Sequence, residues 1–275
     1  MVPAMAANVT SWEDLVFFHE EVNGETGEFE YSTFALVDEY DVAYFGRTNH
    51  PRHNVTLEQL TSAIFPIPDD TIFPDWALHR EKLTLAQDTI LHVYIKRPNL
   101  PLYDVFKEHS VLELIPQGLV EEARVMEVLA QHPHPNIVHY HGCRVRRGRI
   151  TGLVLDRHPN TLNDYLRNKV GTVDKEPFMK AIELAIHHLH SLDFAHDDIN
   201  PGNILIDVEG MPILIDFGSA RLIGGKLGTS RGTKRWIAGD LKDYHTSDKE
   251  HDFFALEKIR NWLDEPMQSK PSYLS

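Results

Sequence analysis

The stretch His196-Asp197-Asp198-Ile199-Asn200-Pro201-Gly202-Asn203 is followed, thirteen residues after its last Asn, by Asp216-Phe217-Gly218. The first segment reads H-x-D-x-x-x-x-N and the second D-F-G. Each is short, but the ordered pair in apolar surroundings is specific. Asn203-Ile204-Leu205-Ile206 predicts a strand leaving the loop. Pro212-Ile213-Leu214-Ile215 predicts a second strand that delivers Asp216, with Glu209-Gly210 as the turn between them. In this arrangement Asp198 is an acceptor for a proton. Asn203 and Asp216 supply the oxygen donors that a hard divalent cation takes.

The pair resembles the catalytic loop and metal-binding motif of the eukaryotic-type protein kinase superfamily. That resemblance implies an α+β, two-lobed fold with a small β-rich lobe and a shortened, mostly helical large lobe. It implies ATP as phosphoryl donor and Mg2+ held by Asn203 and Asp216. Asp198 would accept the proton of a substrate hydroxyl. A kinase also needs a strand Lys for the phosphates and a helix Glu to hold it. Ile90-Leu91-His92-Val93-Tyr94-Ile95-Lys96 is a β-type run that resembles the family's V-A-I-K, with Tyr94 where Ala is usual. Residues 119–129 carry Val125, Val128 and Leu129 on an apolar helical stripe. Counting back from His134-Pro135-Asn136-Ile137-Val138, a segment frequent in kinases, selects Glu122 as the Lys96 partner, with Glu121 as the alternative.

Gly152-Leu153-Val154-Leu155-Asp156-Arg157-His158 reads as a buried strand that breaks into a polar loop at Pro159-Asn160. In the family this position joins the lobes and its backbone meets adenine, which makes Asp156 and His158 nucleotide-binding candidates. Thr161 is the expected N-cap of a short helix. Residues 178–192 form an amphipathic helix leading into the catalytic loop.

The chain departs from the family pattern in its phosphate-covering loop, at Tyr94, within the catalytic loop and at the end of the large lobe. No G-x-G-x-x-G precedes Lys96; the region offers isolated glycines such as Gly46 and a Pro-broken stretch. Tyr94 is large. Asp197 replaces the Arg that receives an activation-loop phosphate, so phosphates on Thr229, Ser230 or Thr233 would be repelled. Asn200 replaces the family's Lys. The large lobe also ends early. Gly232-Thr233-Lys234-Arg235-Trp236-Ile237-Ala238-Gly239-Asp240 resembles G-T-x-x-W-x-A-P-E, and Asp252-Phe253-Phe254-Ala255-Leu256 the start of a central buried helix. The truncated lobe and the Lys-Arg-Pro run at 96–98 resemble a group of fungal kinase-like proteins. The expected organisation is an N-terminal extension at 1–83 that either completes the small lobe or forms a separate cap, a small lobe at 84–155 and a truncated large lobe at 156–275.

With 275 residues, a formal charge of −14 and 42 % apolar content, the chain suits a folded globule of one or two domains. The acidic balance argues against nucleic-acid or anionic-membrane partners. A single Cys, Cys143, excludes an intrachain disulfide and fits a reducing compartment. No apolar run matches a membrane helix and the N-terminus lacks a signal-peptide pattern, so an intracellular protein, cytoplasmic or nuclear, is expected. The seventeen His residues show no i, i+4 pair with a carboxylate of the H-E-x-x-H kind, and no zinc site is expected. His196 is expected to hold backbone rather than to act as a base.

The leading function is therefore an ATP- and magnesium-dependent protein serine/threonine kinase-like phosphotransferase acting on a hydroxyl-bearing substrate. The alternatives are a small-molecule kinase and a pseudokinase that binds or scaffolds. The apolar helix at 252–263 is expected to need a cover: the N-terminal extension, the tail at 267–274, a partner or a second copy.

Overall fold

The computed structural model describes residues 8–228 and 232–265. Thr229 and Ser230, where Asp197 would repel a phosphate, and the tail at 267–274 lie outside the described residues. In chain order the strands and helices are β1 (Leu15–Val22), β2 (Phe29–Val37), β3 (Ala43–Thr48), α1 (Leu57–Ala63), β4 (Ile64–Pro66), α2 (Asp69–Ile72), β5 (Val93–Lys96), α3 (Tyr103–Glu108) and α4 (Leu114–Gln131). They continue with β6 (Tyr140–Arg146), β7 (Arg149–Asp156), β8 (Asn160–Thr161), α5 (Leu162–Arg167), α6 (Lys175–Ser191), β9 (Phe194–Ala195), β10 (Ile204–Ile206), β11 (Pro212–Leu214), β12 (Arg221–Leu222) and α7 (Lys249–Asp264). The architecture is α+β. The chain divides into two compact units: residues up to 85 with 96–120 and 143–153, and residues 86–95, 121–142 and 154 onward.

In the first unit β1 to β4 form an antiparallel sheet in sequential order. The end of β2, Phe34-Ala35-Leu36-Val37, reads as an apolar run because both faces of this sheet are covered. Ala35 and Phe45 join Ile72, Phe73, Leu100, Tyr103 and Ile115 on one side. Phe34, Leu36 and Tyr44 join Val55 and Leu60 on the other. Each fully buried Phe or Ile contributes about 1.5–3 kcal/mol. Gly46, opposite Phe34 in the β2–β3 register, is glycine because a Cβ there would lie 2.3 Å from the Phe34 ring. None of β1 to β4 pairs with the separate three-stranded sheet of order β5-β7-β6.

The β2–β3 turn carries the main polar joint of this unit. The Asp38 carboxylate accepts from Tyr40 N (2.9 Å) and Val42 N (2.8 Å). Asp41 then adopts φ +62°, a conformation that Asp tolerates. Its carboxylate is buried (1 % exposed) and accepts from Arg97 Nη2 at 2.6 Å, Arg144 Nε at 2.6 Å and Thr151 Oγ1 at 3.0 Å. Arg147 adds a donor to the Asp41 carbonyl (3.1 Å) and a two-pronged pair to Asp69 at 2.7 and 3.0 Å. The N-terminal sheet is thereby fastened to β6, to β7 and to the segment after β5. The Asp41 joint involves positions 56, 103 and 110 residues away in the chain.

In the second unit the predicted hairpin is present, with Leu205 paired to Ile213, and β8 joins the far side of β10. Thr161 caps α5 by accepting from Asp164 N. The buried face of α6 includes Phe178, Met179, Ile182, Ala185, Ile186 and Leu189. Helix α7 buries Asp252, Ala255, Ile259 and Trp262. Its rings have neighbours within the chain: Trp262 meets Trp236 edge-on at 6.2 Å and Phe253 meets His190 at 5.2 Å. The run at 90–96 is shorter than its composition predicts. Only Val93–Lys96 is strand, because His92 takes φ +58° and Leu91 is 78 % exposed.

Burial pushes the Asp41 carboxyl up, but the Arg144 and Arg97 guanidinium groups outweigh it and hold the group below the usual carboxylate range. Its contribution to stability is therefore complete above the unfolded value of about 3.9 and is lost as pH falls through the lower folded value. Asp41→Asn should cost about 3 kcal/mol at neutral pH. The gap between wild type and variant in urea titrations should narrow below about pH 4. A gap that stays constant with pH would show that the ion pairs contribute nothing.

Candidate active site

Backbone positioning comes first. Asp197 has φ +62°, and the peptides around it turn their N–H groups towards α7. There the buried Asp252 carboxylate accepts from Asp197 N (2.9 Å), His196 N (2.9 Å) and His190 Nε2 (2.8 Å). His196 is fully buried against the Phe217 ring at 5.0 Å. Its Nε2 donates to Ile215 O at 2.9 Å and its Nδ1 accepts from Asp198 N at 3.3 Å, which assigns the neutral Nε2–H tautomer. The ring thus ties the loop to the strand that delivers Asp216 and has no nitrogen left for proton transfer.

Asp198 is then held from three directions. Thr233 Oγ1 donates to Oδ1 at 2.7 Å, Asn200 Nδ2 to Oδ1 at 3.1 Å and Asn203 Nδ2 to Oδ2 at 3.1 Å. Burial holds its carboxyl above the usual carboxylate range; the Thr233 hydroxyl pulls it down and the negative charge of Asp216 pushes it further up. Asn203 Nδ2 also donates to Asp198 O at 2.9 Å. With its nitrogen committed twice, the amide keeps its oxygen as its remaining acceptor. Asp216, at φ +63°, is half-buried, and its Oδ1 accepts from Gly218 N at 3.3 Å. One amide oxygen and one carboxylate suit a small hard cation that keeps several waters, such as magnesium.

Glu122 is buried on α4, where its Oε1 accepts from Phe217 N at 3.0 Å. Glu121, one residue round the helix, pairs with Arg221 at 2.7 Å. The predicted Glu122 thus connects directly to the D-F-G segment. Asp156 ends β7, where its N–H donates to His139 O at 3.0 Å and its carboxylate meets His141 Nε2 at 2.6 Å. His158, half-buried, follows in the loop before β8. Lys96 ends β5 and belongs to the first unit, whereas Asp198, Asn203, Asp216, Glu122, Asp156 and His158 belong to the second.

The sequence reading passed over Asp252 as an anchor and Thr233 as a partner of Asp198. Asp252 carried a signal: it is an acid amid the apolar positions of α7. Thr233 stood in a recognised segment, but its 35-residue separation from Asp198 gives no local cue.

Known proteins resemble this chain over part of its length. A protein kinase domain model matches residues 104–259. Mitogen-activated protein kinase kinase kinase 5 of Arabidopsis thaliana is 31 % identical over 121 residues, which cover 42 % of this chain and 17 % of that protein. Serine/threonine-protein kinase ppk6 of Schizosaccharomyces pombe is 34 % identical over 140 residues, 49 % of this chain and 18 % of that protein. The chain therefore spans less than a fifth of the length of these curated relatives. Among solved structures, a yeast RNA Pol II CTD kinase CTDK-1 complex aligns at a TM-score of 0.46 and 20 % identity, covering 56 % of this chain and 53 % of the other. The matched domain takes in more than half of the chain, including the loop of Asp198, the Asp216 turn and the first part of helix α7, and the chain belongs to the protein kinase family.

Proposed function

We propose that this chain is an ATP- and magnesium-dependent phosphotransferase of the protein serine/threonine kinase kind. The observation that carries this reading is the arrangement at Asp198: its carboxylate already accepts a hydrogen bond from an aliphatic alcohol, Thr233, at 2.7 Å. A substrate Ser or Thr hydroxyl presents the same group. In the reaction the hydroxyl oxygen bonds to the γ-phosphorus of ATP, the bond from that phosphorus to the β-bridging oxygen breaks, and ADP leaves. Asp198 takes the hydroxyl proton. Magnesium, when held by Asn203 and Asp216, would neutralise charge on the phosphates. Lys96 would bear on the phosphates and Glu122 would hold Lys96 and the D-F-G segment. Asp156 and His158 would line the adenine with backbone groups.

The pseudokinase reading is favoured by one observation: residues 86–92, ahead of β5, form no strand that could carry a phosphate-covering loop. A radiolabelled phosphotransfer assay on a mixed peptide library separates the two. Lys96→Met should abolish turnover with little change in melting temperature, because the half-buried amine serves the phosphates and not the core. Full activity in that variant would mean that Lys96 is not the phosphate ligand.

ATP at a hundredfold excess over its Kd should stabilise the wild type by about 2.7 kcal/mol in the presence of magnesium. Chelator, or Asp216→Asn, should remove most of that gain. Equal stabilisation with and without the metal would leave Asp216 without a metal role.

The pH profile offers a third test. A base with a raised pKa loses its ionised form earlier as pH falls. The acid limb of kcat/KM, which reports the free enzyme, should therefore lie above the range of an exposed aspartate, about 3.9. A limb at or below that value would rule out Asp198 as the base.

A further inference from the structure

Asp197 precedes the proposed base and is itself buried, at 2 % exposure. Its Oδ1 accepts from His251 Nδ1 at 2.8 Å and from Asp248 N at 3.4 Å. Oδ2 has no hydrogen-bond partner among the described residues. Asp248 is the N-cap of α7 and His251 lies in its first turn. The carboxylate therefore sits at the N-terminus of a 16-residue helix, where free backbone N–H groups and the helix dipole favour an anion. A buried carboxylate is costly without a charged or donating partner. Here a second one, Asp252, accepts from the neighbouring backbone. Each has its own histidine: His190 for Asp252 and His251 for Asp197.

His251 reaches further than Asp197. Its ring stacks on Tyr244 at 4.1 Å and 24°. The Tyr244 hydroxyl accepts from Ala238 N at 2.8 Å, in the segment that begins with Gly232 and Thr233. Gly232, at φ +93°, passes so close that a Cβ would lie 2.9 Å from Asp197 O. One imidazole thus connects the residue before the base with the segment that brings Thr233 to it.

We propose that His251 is a positioning residue. By holding Asp197 it fixes the backbone between His196 and Asp198. Through Tyr244 it steadies the stretch that carries Thr233. This rests on the reading of Asp198 as the base.

The test compares His251→Leu, which keeps the bulk and removes the donor, with His251→Asn, whose amide nitrogen occupies nearly the place of Nδ1. Both are made in the full chain, and melting curves establish that both fold. His251→Leu should lower kcat about tenfold, the size expected for one lost hydrogen bond to a charged group, with KM for ATP unchanged. Amide exchange at 196–203 should speed up by about the same factor. His251→Asn should restore both to near the wild-type values. The proposal is overturned if the Leu variant matches the wild type in exchange and kcat, or if Leu and Asn variants are equally impaired. A wild type without any phosphotransfer would defeat the kinase reading alone. The exchange comparison would still decide whether His251 holds the loop: protection in wild type and Asn but not in Leu supports it, and equal exchange in all three overturns it.

Discussion

The buried carboxylate of Asp252 is the fixed point of the second unit. It accepts two successive backbone N–H groups, those of His196 and Asp197, and the His190 imidazole. Two consecutive amides converge there on one carboxylate, and the chain turns sharply at the second of them, where Asp197 takes φ +62°. A left-handed non-glycine residue costs of order 1 kcal/mol and persists where its surroundings over-determine it. Everything chemical follows from that turn. It sends the Asp198 side chain towards Asn200, Asn203 and Thr233, and it sends His196 under Phe217. An Asn at position 252 would supply only one accepting oxygen, so the convergence needs the charged group.

The first unit uses the same device for a different purpose. Asp41 also sits at positive φ, is buried and draws donors from distant parts of the chain. A buried ion pair is poor value as stabilisation alone, because desolvation offsets the attraction. What it provides is selectivity: only one register of the β2–β3 turn presents the carboxylate to Arg97, Arg144 and Thr151 together. The sheet β1 to β4 buries apolar side chains on both faces, so packing alone would tolerate small slips. The ionic joint does not.

Local chemistry made much of this legible in the sequence. The hairpin β10–β11 announced itself through two apolar runs and Glu209-Gly210. Thr161 is the cap that its residue type predicts. Periodicity found α4 and α6, and the family resemblance pointed to α7. The two carboxylates that organise the units were another matter. Asp41 is one of 41 acidic residues, and nothing local separates this buried anchor from a solvated charge; Asp252 carried only its place amid the apolar positions of α7. Their partners lie between 55 and 110 residues away, so only the folded chain identifies them. The overlong strand at 90–96 failed for the opposite reason. Residues 90–92 have β-type composition, but no β-strand forms there, and composition cannot see a missing neighbour.

Asp197 shows how a substitution that looks like a loss can be a consistent alternative. An Arg at this place would meet the positive end of α7 and would need an anion to hold it. An Asp meets the same helix end favourably and finds Asp248 N and His251 already there. The two arrangements are mutually exclusive, since the donors that suit a carboxylate repel a guanidinium. The exchange therefore changes more than one residue's charge. It transfers the support of the loop from whatever ligand an Arg would recruit to groups that belong to helix α7 itself. Because Asp252 lies on the same first turns of that helix, one rigid element now fixes both the backbone and the side chain of the residue that precedes Asp198. Orientation held by a helix is more exact than orientation held by a loop, and the Asp198 carboxylate inherits that exactness.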